Sequence, residues 1–136
     1  MAILNLSIES QNVILNKFKD LLDEEKKPAY LEIHEGSMPT RADEKCSKET
    51  KLGTVYFTYP SAEYTTSGAI LFSFEKNQIA TKSGKATWGR VFTNSGKVLF
   101  DIDVSTKDKD AVLILNSTDI IQDGVILIKK LVFMLH

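Results

Sequence analysis

Near the start of the chain the apolar residues Ile14, Phe18, Leu21 and Leu22 recur at helical spacing, while Lys17, Lys19, Asp20 and Asp23 fall largely elsewhere around the turn. That is the pattern of an amphipathic helix with one packing stripe. The spacing predicts a helix over about residues 7–25. Ser7 or Ser10 can cap its N-terminus, Lys26 and Lys27 suit its negative C-terminal end, and Pro28 stops it. The polar remainder of its surface places the helix on the outside of the fold.

Beyond Pro28 the period shortens to that of strands. Residues 29–35 alternate Tyr30 and Glu32 with Leu31 and Ile33. Further strand-like runs cover 53–59, 69–74, 85–94, 97–104, 111–116 and 125–135. Asn94-Ser95-Gly96 separates two of them and reads as a hairpin turn, with glycine available for positive φ. In the strand that follows, Val98, Phe100, Ile102 and Val104 point one way, and Leu99, Asp101 and Asp103 the other. One buried and one mostly wet face are expected there. The last run is apolar on both faces, which suits a central or covered strand. Between the first two strands lies a polar excursion, residues 36–51, with seven charged residues among its sixteen. Such excursions are usually functional or mobile. Short strands separated by turn signals predict a mainly β chain: an antiparallel, jelly-roll-like β-sandwich over about 29–135 carrying one N-terminal helix. No repeat or linker interrupts residues 1–136, so a single domain is expected.

Composition narrows the function classes. The chain has 136 residues, 43% hydrophobic and 26% charged, with Lys+Arg 17 against Asp+Glu 18. This balance leaves no polybasic arm, and no specific nucleic-acid partner is expected. The single cysteine, Cys46, excludes an intramolecular disulfide and a multi-cysteine zinc cluster. The N-terminus lacks the basic and apolar regions of a signal peptide, and the most apolar stretch, 125–135, contains Lys129-Lys130 and is too short to span a bilayer. Folding in a reducing cytoplasm, without a membrane partner, is the expectation.

Apparent catalytic and metal motifs fail when their chemistry is tested. Asp101-Ile102-Asp103 opens like a calcium loop, but Thr106 stands where the turn needs glycine and Val112 where the cage needs a closing glutamate. Asp101 and Asp103 are therefore expected to be solvated on an outer face, with a weak cation site shared with Asp108 or Asp110 as the alternative. Ser83-Gly84-Lys85 resembles the end of a phosphate loop, but Ile79 replaces the upstream glycine and a strand follows instead of a helix. His34 and Glu35, with Cys46 in the loop, offer metal-ligand or nucleophile–base chemistry in principle, yet their spacing fits no zinc pattern. An ordinary exposed thiol is expected, and neither catalytic, cofactor-binding nor metal-ligating residues are assigned. Among the aromatics, Tyr56, Phe57, Tyr59 and Tyr64 surround Pro60 and offer either core filling or a surface for a sugar or a partner. Trp88 and Phe92 share a strand face with Arg90. That face reads as core, and Arg90 then needs a carboxylate partner or marks an interface.

The run Ser83-Gly84-Lys85-Ala86-Thr87-Trp88-Gly89-Arg90-Val91-Phe92 is followed by Ser95-Gly96-Lys97-Val98-Leu99-Phe100-Asp101 and Asp103-Val104-Ser105. Then come Leu113-Ile114-Leu115-Asn116-Ser117-Thr118, Ile120 and Gly124. This order resembles a family of small virion structural proteins of tailed bacteriophages and prophages. The front half fits more loosely, through the helix, Leu31-Glu32-Ile33-His34-Glu35-Gly36 and Met38-Pro39. Gly89 in place of an aromatic, the charged turn 107–110 and the charged loop depart from the family pattern. The resemblance implies a non-enzymatic particle component, by preference a head-decoration or capsid-stabilising protein. It would be made in the bacterial host cytoplasm and carried in the virion. Its expected partners are other virion proteins, the major capsid protein first, and further copies of itself. Tail or neck placement and a glycan-binding module are the alternatives. Candidate interface residues are Met38, Pro39, Arg41, Tyr59, Tyr64 and Arg90.

Overall fold

The computed structural model describes residues 2–108 and 110–135. Among these residues helix α1 spans Ile8–Asp23, and nine strands follow: β1 Tyr30–His34, β2 Lys51–Ala62, β3 Ala69–Phe74, β4 Gly84–Lys85, β5 Trp88–Phe92, β6 Val98–Ser105, β7 Leu113–Leu115, β8 Asp119–Ile120 and β9 Ile128–Met134. The expected mainly β chain with one N-terminal helix is what forms. Seven of the strands close into a barrel in the order β1-β2-β3-β9-β7-β6-β5, and β4 pairs with β8 beside it.

Pairing is antiparallel around the ring except between β6 and β7, which run parallel through Val104↔Leu113 and Ser105↔Ile114. This corrects the expectation of a wholly antiparallel sheet. The chain does not leave β6 by a hairpin, and so re-enters the sheet in the same direction at β7. The run expected as one strand over 85–94 is two, because Ala86 turns away to donate to Thr118 O (2.8 Å) while Thr87 donates to His34 O (3.0 Å). The β5–β6 hairpin forms as its turn residues predict, with Gly96 at φ 97° and Thr93 N–H bonded to Lys97 O (2.9 Å).

Inward-pointing residues alternate along each strand and fill the barrel. Leu31, Ile33, Val55, Phe57, Val91, Leu113 and Leu131 are fully buried. A small barrel packed this way has a solid core, not a channel. Gly89 on β5 fits that packing: a Cβ there would lie 2.7 Å from Leu31 Cδ1 and 3.1 Å from Glu32 O.

Ser7 caps α1, its hydroxyl accepting from the Ser10 N–H at 3.1 Å. The buried stripe is Leu15, Lys19 and Leu22, with Phe18 half-buried beside it. This rotates the expected stripe by about one residue, for Ile14 is 41% exposed and Leu15 fully covered. Phe18 sets the rotation by meeting Phe100 and Phe133 edge-on, with centroids 5.6 and 4.9 Å apart. A polar ridge one face over fixes the end of β2 and the segment after it. Asn12 accepts from Gly68 N–H (2.8 Å), Asn16 exchanges two bonds with Thr65 (2.7 and 3.1 Å), and Asp23 accepts from Ser61 N–H (3.0 Å).

Candidate functional site

Successive residues of a strand face opposite ways, and directly paired residues face the same way. Since Leu31, Ile33 and Val91 point inward, Glu32 and His34 on β1 point out of the barrel, as do their partners Arg90 and Trp88 on β5. Asp101 and Asp103 on β6 continue the same outer face. The sequence pattern placed Trp88 and Phe92 in the core. Trp88 is indeed only 2% exposed, but it is covered from outside. The polar excursion 36–51 folds back across this face as a strap, which explains why an outward-facing strand looks apolar.

Three anchors hold the strap. At its start, Trp88 Nε1 donates to Glu35 O (3.2 Å) and the Thr87 hydroxyl to Gly36 O (2.6 Å). In its middle, Arg90 Nη1 donates to Glu44 O (2.5 Å). At its end, Glu35 N–H reaches Thr50 O (2.9 Å), and Thr50 Oγ1 lies 2.9 Å from His34 Nδ1.

Beneath the strap lies a buried ion pair. Arg90 Nε and Nη2 donate to the two carboxylate oxygens of Asp101 at 2.7 and 3.0 Å, with side chains 3% and 6% exposed. Asp101 is thus the carboxylate that Arg90 required, and it is not the solvated residue expected from strand alternation. These paired hydrogen bonds raise the Arg90 pKa above its ordinary value against the opposing effect of burial. Its guanidinium also stands 5.5 Å from the centre of the Trp88 ring.

Beside the pair, the fully buried His34 ring stacks on Trp88, with centroids 4.4 Å apart and planes 15° off parallel. His34 Nε2 is 3.3 Å from Glu32 Oε1 and 3.9 Å from Cys46 Sγ. Cys46 is half-buried, not the expected exposed thiol, because the strap turns it onto the barrel. The His34 hydrogen bond, helped by nearby Lys51 and opposed by burial, holds the Glu32 carboxyl below its ordinary pKa. Among the described residues, Glu32, His34 and Cys46 bring three ligand atoms within 4.8 Å of one another. The carboxylate is Glu32, one face-period from His34, and not the adjacent Glu35.

Three of the four acidic residues weighed for calcium are otherwise engaged. Besides Asp101, Asp103 accepts from Val112 N–H (2.7 Å) and Asp108 pairs with Lys130 (2.5 Å). Near them, where the three-residue β7 no longer separates β6 from β9, a cleft of about 870 Å³ opens onto Phe18, Phe100 and Phe133.

The six candidate interface residues fall in three places. Met38, Pro39 and Arg41 lie on the strap, where Met38 is 40% exposed and Arg41 pairs with Asp43 in the open. Tyr59 lies near the end of β2 and Tyr64 in the β2–β3 connection. Tyr64 donates to Asp20 (2.8 Å) under the Lys19 ammonium, so it braces α1. Arg90 lies beneath the strap, buried. Sequence reasoning passed over a fourth region, an exposed apolar cluster of Ile79, Ile121, Val125 and Leu127. Its signal was present in the run Ile120-Ile121 and in Val125-Ile126-Leu127, each with one residue turned in and its neighbours out. Comparisons with protein-family models, with curated proteins and with solved structures found no match for this chain.

Proposed function

We propose that the chain is a non-enzymatic structural subunit of a tailed-bacteriophage or prophage particle, a head-decoration or capsid-stabilising protein attached through protein–protein contacts. The observation that supports attachment is the apolar cluster beside β8. Ile79, Ile121, Val125 and Leu127 are 54%, 69%, 49% and 56% exposed. Ile79 and Val125 form an isolated antiparallel backbone bridge, and the other two share a cleft with Val125. Contiguous exposed apolar surface of this kind marks a protein-binding site. With the barrel interior filled by side chains, docking falls to the outside. An apolar contact also suits a chain with a net charge of -1. The identity of the partner rests on the family resemblance of residues 83–124. On this reading the barrel is a sandwich-like pair of layers, with the long strands β2 and β6 shared between them.

The test is particle association. A tagged copy is expressed in cells producing particles from the element that carries the gene, and particles are banded by density. Stoichiometric recovery with the band is expected, and its loss in the Ile121→Asp/Leu127→Asp double variant. A strictly monomeric chain that never bands with particles overturns the proposal.

A further inference from the structure

The Glu32, His34 and Cys46 cluster has a use that particle attachment does not require. Thr50 gives its hydroxyl hydrogen to Ser47 O at 2.9 Å, so it presents lone pairs to His34 Nδ1, also at 2.9 Å. In the neutral imidazole this puts the ring hydrogen on Nδ1 and leaves Nε2 as the basic nitrogen. Nε2 is the atom that faces both Glu32 Oε1 and Cys46 Sγ. With that tautomer the bond from Nε2 to Glu32 forms only when the ring carries a second proton; otherwise a carboxylate and an imine nitrogen meet at 3.3 Å and repel one another unless another electrophile is shared between them. A proton serves two of the three groups, whereas a divalent cation serves all three.

We propose that Glu32 Oε1, His34 Nε2 and Cys46 Sγ bind a zinc-class divalent cation, with solvent completing a tetrahedron, and that the cation clamps the strap to the barrel. The donor set of one sulfur, one imidazole nitrogen and one carboxylate oxygen suits a borderline-soft ion and not calcium or magnesium. The distances fit as well. With zinc–ligand bonds of about 2.0–2.3 Å, tetrahedral ligand atoms sit roughly 3.3–3.6 Å apart. The carboxylate and imidazole atoms are already 3.3 Å apart, and the sulfur, on the strap, has to close on the nitrogen from 3.9 Å and on the carboxylate oxygen from within 4.8 Å. The first two ligands stand on one rigid strand, and His34 is held by its stacking on Trp88. Thr50 supplies the outer hydrogen bond that orients a ligating imidazole. On binding, the sulfur–metal bond forms as the thiol proton leaves to solvent, and the Nε2 lone pair and a Glu32 oxygen are donated without other bond changes.

The experiment uses the untagged full chain. Zinc chloride alone is titrated by calorimetry, and cobalt(II) is substituted to read the thiolate-to-metal charge-transfer band. One ion per chain and a near-ultraviolet band are expected, both lost in Cys46→Ser, with binding weakened about 10–100-fold in Thr50→Val. Zinc is also expected to slow tryptic cleavage after Arg41, Lys45 and Lys48 in the wild type but not in Cys46→Ser. A folded wild type showing no charge-transfer band overturns the proposal, as does zinc binding that survives Cys46→Ser. Neither result bears on particle association, which is measured separately.

Discussion

Replacing Asp101 by Asn tests whether the strap covers a working ion pair. The substitution keeps shape and removes one charge. Arg90, 3% exposed, then retains only the Glu44 carbonyl, the Trp88 face and a single amide oxygen. Breaking a buried pair from one side typically costs about 3–5 kcal/mol, because the remaining charge is left uncompensated. The Glu44 bond and the indole face compensate in part, so a loss near the lower end, about 3 kcal/mol, is expected. That is a large fraction of the roughly 5–15 kcal/mol that holds a domain together. In urea denaturation followed by far-ultraviolet circular dichroism, an m-value of about 1.5 kcal/mol/M would turn this loss into a midpoint lower by about 2 M. The double variant Arg90→Met/Asp101→Leu removes both charges and should lie closer to the wild type than Asp101→Asn does. A loss below about 1 kcal/mol for Asp101→Asn, the range of solvated pairs, would refute the reasoning. So would a double variant as unstable as the sum of the two single ones.

Two further outcomes are expected of the folded chain. Glu32 has its pKa lowered in the folded state, so its contribution is present above its unfolded value, about 4.3, and is lost as pH falls through the folded value. Urea midpoints of wild type and Glu32→Gln should therefore differ at pH 7 and converge as the pH falls through the folded value, and a gap constant with pH would remove the bonding of the charged carboxylate to His34 and Lys51 from the account. On α1, Leu15→Ala should cost about 2–5 kcal/mol and Ile14→Ala about 0.5 or less, since the first is fully buried and the second 41% exposed; equal losses by thermal denaturation would mean that the packed face is the other one.

The strands were legible where one face was wet. β3 runs Ala69–Phe74, the range its alternation predicts, because Gly68 at φ 82° ends the preceding turn and Leu71 and Ser73 look outward. β5 was legible as a strand but not as to which way it faces. Trp88 and Arg90 look as buried as Val91, because the strap covers one side and the barrel core the other. Gly89 carried the missing clue, since only the inward side lacks room for a Cβ. The helix phase was misread by one residue because Ile14 and Leu15 are both apolar. Which of them is covered depends on where Phe100 and Phe133 lie, and both are distant in sequence. Glu32 and His34 could be placed on one face by period alone. Cys46 could not, since a strap has no period, and its return to β1 is fixed by the hydrogen bonds that Thr50 accepts from His34 and that Arg90 donates to Glu44 O.

The order β1-β2-β3-β9-β7-β6-β5 also sets the timing of folding. β9 is the wedge between β3 and β7, pairing Phe72 with Leu131 and Leu113 with Leu131. Local hairpins such as β5–β6 can form in microseconds. The ring, by contrast, stays open until the last strand in the sequence has arrived, and its closure must order long intervening segments first. During synthesis, then, β3 and β7 present unpaired edges to solvent until β9 clears the ribosome. It is in that interval, before closure, that a chain ending short of β9 would be captured by chaperones or by its neighbours.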